Sequence, residues 1–193
     1  MAAGSDSPAY PPMSGEAIFM SRADGFNKWV HPKTTEDDYR TPDFVLRYVE
    51  EMVGRWITHD GACSPENAVA SPFDLFSNEQ LPEDSLLFVN PPWDTPNVKR
   101  FVEAAHRKTP DSSDCVFLLP NKLSEVGWVL DVNLRFREII MLGGRLDFSG
   151  PHSVKKGASR WGTFLGVMKS FGNPDHETVF RSIRIKTLKE EYP

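Results

Sequence analysis

The spacing of apolar residues changes along the chain, and each change marks an element. Phe44, Val45, Tyr48, Val49 and Met52 recur at three- and four-residue intervals, the spacing of one helix face. Thr41 is a capping residue type and Pro42 suits a first helical turn, so a helix is expected from there to Gly54, which closes it. Trp56-Ile57-Thr58-His59-Asp60 reads as a buried strand ending on an acid, and Ser64-Pro65-Glu66-Asn67 as a short helix or turn. Leu86-Leu87-Phe88-Val89 is a continuous apolar run, typical of a parallel strand covered on both faces. A helix follows around Val98, Phe101, Val102 and Ala105, with Lys99, Arg100, Arg107 and Lys108 toward solvent. Cys115-Val116-Phe117-Leu118-Leu119 is a second buried strand stopped by Pro120, and Ser124 to about Val132 suits one more helix.

The C-terminal half changes character. Phe136 to Leu142 and Trp161 to Met168 read as strands with little room for a crossover helix between them. They predict an antiparallel hairpin with a long loop, at the edge of the sheet. The alternation in Ile183-Arg184-Ile185-Lys186 suggests a further edge strand. The whole pattern is α/β, a mostly parallel sheet with an antiparallel edge hairpin. Ahead of it, residues 1–24 are rich in Ser, Gly, Ala and Pro and read as a disordered leader. Residues 25–40 carry Trp29, His31, Pro32 and the acidic run Glu36-Asp37-Asp38, and form either an ordered arm or a lid. Residues 41–193 make one domain.

Composition narrows the class. With 39% hydrophobic and 25% charged residues the chain reads as soluble and globular. No apolar run is long enough for a bilayer and no signal-peptide pattern opens the chain, which predicts an intracellular protein, in cytoplasm or nucleus, with no membrane partner. The net charge of -5 argues against a large basic footprint on nucleic acid but leaves room for a local basic stripe. Cys63 and Cys115 belong to no CxxC pair and read as buried thiols, and His106, His152 and His176 are too scattered for a metal site. No metal is expected. His59, beside a strand end, reads as an ordinary structural residue.

Asn90-Pro91-Pro92-Trp93 follows directly on a buried strand. In an open α/β sheet ligands bind at the carboxyl ends of the strands. An exocyclic amine on a base is a poor nucleophile, because its lone pair is delocalised into the ring. The Asn90 amide oxygen is able to accept one amine proton and the Pro91 carbonyl the other, which favours a tetrahedral amine with its lone pair freed. Prolines stiffen the loop and offer no competing N–H. Trp93 offers a flat surface for an extruded base. Alone, the tetrapeptide also suits a strand terminator with a core aromatic; the strand before it and the helix after it favour the chemical reading.

Asn-Pro-Pro-Trp resembles the signature of amino-group methyltransferases, and the order of other segments resembles one branch, the phage-type (Dam-like) DNA N6-adenine methyltransferases. These segments are Asp38-Tyr39-Arg40-Thr41-Pro42, His59-Asp60-Gly61-Ala62-Cys63-Ser64-Pro65-Glu66-Asn67-Ala68, Asp74-Leu75, Leu118-Leu119-Pro120, Glu138-Ile139-Ile140 and Gly144-Arg145-Leu146-Asp147-Phe148. The resemblance implies a Rossmann-like class I fold and S-adenosyl-L-methionine as cofactor. It implies that Asp60, Gly61 and Ala62 lie against the methionine end of that cofactor, with Asp60 holding its ammonium or organising the loop. Thr41 and Pro42 would touch the cofactor from the opening segment, and Asp74 would lie near its adenosine. Asn90, Pro91, Pro92 and Trp93 would hold the target amine, with Asn90 also beside the cofactor. Gly144, Arg145 and Phe148 would sit near the substrate.

Lys155, Lys156 and Arg160 form a basic cluster before Trp161, read either as a grip on phosphates or as a solvated loop. Arg145 suits a phosphate or Asp147. The implied reaction is direct methyl transfer to adenine N6 of a flipped base in DNA. RNA adenine, cytosine N4 and protein glutamine are the alternatives, since all present a conjugated NH2. Trp93 stands where the phage enzymes commonly carry Tyr, and Trp is common there in RNA adenine methyltransferases. A catalytically silent binding subunit is the reading from another class. At 193 residues there is little room for a target-recognition module, so specificity would come from loop 149–160, a homodimer or a partner subunit.

Overall fold

The structure, a computed structural model, describes residues 40–64, 67–121, 135–148, 161–168 and 177–193. The expected leader, nearly all of the arm at 25–40, and the helix expected near 124–132 lie outside the described residues.

Helix α1 is Asp43–Val53, with Val45 and Val49 fully buried. Its cap position is Pro42, in extended conformation with no side-chain cap bond. The expectation that Thr41 caps this helix is corrected: its hydroxyl stands one residue too early and is bonded to Asn90 instead. Gly54 ends the helix as expected, at φ 77°, a conformation that a Cβ disfavours. The N–H groups of Gly54 and Arg55 both donate to the Glu50 carbonyl, at 2.8 and 3.2 Å.

The strand expected from Trp56 is shorter than the apolar run. Strand β1 is only His59–Asp60, and Trp56 is 75% exposed. The chain leaves α1 with the Ile57 N–H donating to Glu50 Oε1 at 3.0 Å, so it joins the sheet only at Thr58, whose N–H donates to the Leu86 carbonyl. Strand β2 is Ser71–Pro72 and β3 is Leu86–Val89, buried at every position as its sequence predicts. Helix α2 is Thr95–Lys108, and β4 is Asp114–Pro120. Strands β5, Phe136–Gly143, and β6, Thr163–Met168, follow, then β7, Val179–Arg184, and helix α3, Ile185–Glu191.

The seven strands form one sheet in the order β2-β1-β3-β4-β6-β5-β7. Every described pairing is parallel except those of β6, which runs against both β4 and β5. The expected antiparallel hairpin is β5 with β6, pairing Ile140 with Leu165. It is not the last feature of the sheet, because β7 lies beyond β5 and parallel to it. The alternating stretch at 183–186 straddles a boundary: the strand stops at Arg184 and Ile185 opens α3. The result is the expected α/β, Rossmann-like sheet, mostly parallel.

Strand periodicity splits the core into two layers. Leu87, Val89, Phe117 and Leu119 face α2 with Phe101, Val102, Phe136 and Phe164. Leu86, Phe88, Val116 and Leu118 face α1 and α3 with Val45, Val49, Ile185 and Leu188. Cys63 and Cys115 are buried and unpaired, and burial pushes the Cys63 thiol up to about 12, so both are inert packing thiols. Among the described residues no helix is long and apolar enough to cross a membrane, and no His, Cys, Asp and Glu group could hold a metal ion.

Candidate active site

Four parallel strands deliver their carboxyl ends to one rim of the sheet. Gly61, Phe73, Asn90 and Asn121 leave β1, β2, β3 and β4 on that side, where open α/β sheets bind ligands.

Asp60 ends β1 with only 6% of its surface exposed. Its Oδ1 accepts the Ala62 N–H and its Oδ2 the Val69 N–H, both at 3.1 Å. One carboxylate therefore closes both ends of the loop after β1. Burial raises its pKa from 3.8 to about 6 against the opposing pull of those two N–H groups. Gly61 is explained by the core beneath the loop. A Cβ there would lie 2.9 Å from Leu75 Cδ1, 3.1 Å from Val89 Cγ2 and 3.2 Å from Leu87 Cδ1. The expected turn at Ser64 is present: Asn67 Oδ1 accepts the Ser64 N–H at 2.6 Å, and the Ser64 carbonyl accepts the Ala68 N–H at 3.1 Å. The Ser64 hydroxyl is buried and has no hydrogen-bond partner among the described residues. Asp74 is exposed on the same rim, where its Oδ1 accepts the Phe76 N–H at 2.8 Å and sets the turn after β2.

Asn90 is held from two sides. Its Nδ2 donates to Thr41 Oγ1 at 3.3 Å, and its Oδ1 accepts the Trp93 indole N–H at 3.1 Å. Thr41 is buried, so the segment before α1 meets the end of β3 through this bond. Pro91 is buried, and Pro92 and Trp93 are half-buried. Trp93 packs edge-to-face with Phe148, their ring centroids 5.3 Å apart and planes at 78°. The residue after Trp93 is structural, since Asp94 Oδ1 accepts the Asn97 N–H at 3.1 Å and caps α2.

Thr41, Asn90, Trp93 and Phe148 are thus brought together, and Asp60 and Asp74 share their rim. Arg145 is exposed and follows Gly144, whose φ is 125°. Asp147, one of its two expected partners, instead pairs with Lys189 at 3.6 Å. Lys155, Lys156 and Arg160 lie outside the described residues. His59 is structural, its Nδ1 2.9 Å from Thr58 Oγ1 and its ring against Phe73. Sequence reasoning found the turn at 64–67 but missed the side-chain bond of Asn67 that closes it and the Val69 N–H that ties the loop to Asp60. An Asn three residues after a Ser was the one local signal, since such side chains close turns on nearby backbone.

A family model described as DNA N-6-adenine-methyltransferase (Dam) matches residues 29–189. The chain belongs to this family. No curated protein matches it. Among solved structures it is similar to a Listeria monocytogenes protein ascribed to the class I S-adenosylmethionine-dependent methyltransferases, with 12% identity and a TM-score of 0.44. That match covers 72% of this chain and 53% of the other, so the chain spans about half the length of that protein.

Membership of the Dam family implies S-adenosylmethionine as cofactor. The rim fits such a ligand. Asp60 is a buried carboxylate whose described partners are two backbone N–H groups and no cation, and the cofactor carries an ammonium and a sulfonium. Ser64 adds a buried hydroxyl with no described partner in the same loop. An unpaired buried charge and an unpaired buried hydroxyl are both costly, and a zwitterionic ligand would relieve both.

Proposed function

We propose that this Dam-family protein transfers a methyl group from S-adenosylmethionine to the exocyclic N6 amine of adenine in DNA, acting on a base extruded from the helix. The observation that carries this reading is the Asn90 amide at the end of β3, clamped between Thr41 and Trp93. The family description supports adenine N6 and DNA.

When bound, the cofactor supplies an electrophilic methyl group on a sulfonium sulfur. The remaining work falls to the chain. The loop closed by Asp60 holds the methionine end, with Gly61, Ala62 and Ser64 in it. Pro42 flanks it from before α1, while the Thr41 hydroxyl is turned to Asn90, and Asp74 lies on the adenosine side. Asn90 Oδ1 has two lone pairs; one takes the Trp93 N–H, and the other takes a proton of the target amine. The Pro91 carbonyl takes the second proton. Two acceptors around one nitrogen favour its tetrahedral form and exclude a carbonyl oxygen in that place. Trp93 stacks on the base, backed by Phe148. Asn90 Oδ1 and the Pro91 carbonyl would hold the amine nitrogen toward the methyl group that the cofactor would supply, and the surplus amine proton would leave to water. Alignment and removal of water carry the rate, with no covalent enzyme intermediate.

Arg145, with Lys155, Lys156 and Arg160 between β5 and β6 in sequence, takes phosphates beside the target base. Sequence selectivity comes from residues 149–160 or from a second copy or partner subunit.

Calorimetric titration of S-adenosylmethionine into wild type, Asp60→Ala and Asn90→Ala is the first test, followed by labelled methyl transfer to DNA and RNA. Expected are binding weakened by Asp60→Ala, binding kept in Asn90→Ala, and label on adenine of DNA. Label found only on RNA or only on cytosine overturns the substrate assignment. No binding by the wild type overturns the enzyme reading in favour of a silent binding subunit.

A further inference from the structure

The bonds around Asn90 are not equivalent. An indole N–H is a donor only, so it tolerates the oxygen of a side-chain amide and repels its NH2. A threonine hydroxyl donates or accepts as required. Trp93 Nε1 therefore decides which way the Asn90 amide is turned, and Thr41 Oγ1 accepts the NH2 that this choice leaves on the other side. In this chain a phenylalanine at position 93 offers no ring N–H there and leaves the two amide orientations close in energy. Much of the time the site would then present a donor to an amine that needs an acceptor.

We infer that Trp93 and Thr41 are positioning residues that fix the polarity of the Asn90 amide, Trp93 by selecting it and Thr41 by locking it. For Thr41 this is a different role from touching the cofactor. Its hydroxyl is buried and turned onto Asn90, 49 residues along the chain. The role in catalysis rests on the methyl-transfer reading above; the clamp itself does not.

The test pairs kinetics with a spectroscopic readout. Thr41→Val, Thr41→Ser and Trp93→Phe are compared for single-turnover methyl transfer at saturating substrate, for S-adenosylmethionine affinity, and for the Asn90 side-chain NH2 resonance in ¹⁵N spectra. Thr41→Val and Trp93→Phe are expected to slow transfer by about five- to tenfold, as for loss of one neutral hydrogen bond. Cofactor affinity stays within about twofold in Thr41→Val, since an effect on rate alone marks an interaction used in the transition state. Thr41→Ser restores the rate. The Asn90 resonance moves in Thr41→Val and Trp93→Phe and returns in Thr41→Ser. An affinity loss in Thr41→Val that matches its rate loss overturns the inference, and so does an Asn90 resonance that does not move. If the wild type transfers methyl to nothing, the functional reading fails alone, and the resonance still decides whether the clamp exists.

Discussion

Asp60 Oδ2 accepts the backbone N–H of Val69, nine residues downstream, at 3.1 Å. This bond makes the loop after β1 depend on a buried carboxylate, and the burial of that group, against the pull of the bond, gives the protein a pH dependence of unusual sign. The carboxyl has a folded pKa of about 6 against an ordinary 3.8. Between those values the folded protein holds a proton that the unfolded chain has released. Asp60 therefore contributes stability that is full below the ordinary value and is lost as pH rises through about 6. A lift of this size corresponds to about 3 kcal/mol. A cationic ligand acts in the other direction, since it favours the ionised form. S-adenosylmethionine should bind more weakly as pH falls through about 6, while unfolding by urea should show higher stability there. Asp60→Asn should flatten both slopes. Slopes that persist in this variant would place the titrating group elsewhere.

Gly166 lies under Phe136 where β6 meets β5. A Cβ on Gly166 would come 2.8 Å from Phe136 Cε1 and Cζ and 2.9 Å from Cδ1. The ring is fully buried between Phe117 and Phe164 and has nowhere to move. Gly166→Ala should cost about 1–3 kcal/mol in urea unfolding. Adding Phe136→Leu should recover part of that loss, although Phe136→Leu alone destabilises. Simple addition of the two losses would show that the ring is not the obstacle.

Asp94 is exposed and caps α2 directly after Trp93. Asp94→Ala should cost about 1 kcal/mol of stability, the usual worth of such a cap, and Asp94→Ser should restore most of it. The cofactor does not touch this residue in the proposed arrangement, so its affinity should be unchanged. A loss of cofactor affinity in Asp94→Ala would mean that the cap also shapes the cofactor loop.

Much of the frame was legible because it is written in local pattern. Four apolar residues in a row at 86–89 announce a strand covered on both faces, and Gly54 announces the end of α1. The β5–β6 hairpin was legible because the chain between its strands leaves little room for a crossover helix. Apolarity does not say which way a side chain turns, however. Trp56 reads as core from its neighbours, yet the tight exit from α1 leaves it in solvent. Thr41 reads as a cap because its residue type caps; its real partner, Asn90, becomes adjacent only when α1 packs on the sheet. Gly61 reads as a cofactor glycine, and only the fold adds the second reason for it, since a Cβ there would crowd Leu75, Leu87 and Val89 from beneath. The motif at 90–93 pointed to the groups proposed for the chemistry, but the hydrogen bonds that orient them join distant parts of the chain and leave no periodic trace.

The contact between Trp93 and Phe148 yields the last prediction. Phe148 lies just past β5, three strands away from β3 in the sheet, yet its ring packs edge-to-face on Trp93. Such a pair is worth about 0.5–1.5 kcal/mol beyond its burial. Part of that energy holds the indole in the orientation that reaches Asn90 and, in the proposed arrangement, stacks on a base. Phe148→Leu keeps an apolar side chain but removes the ring that fixes Trp93. Methyl transfer at low DNA concentration should therefore fall about three- to tenfold, with cofactor affinity unchanged. The loss should appear mainly in KM for DNA if Phe148 serves stacking, and in kcat if it serves Asn90 through Trp93. Trp93 fluorescence should report the loosened ring directly. Full activity in Phe148→Leu would show that the Asn90 bond alone suffices to hold Trp93.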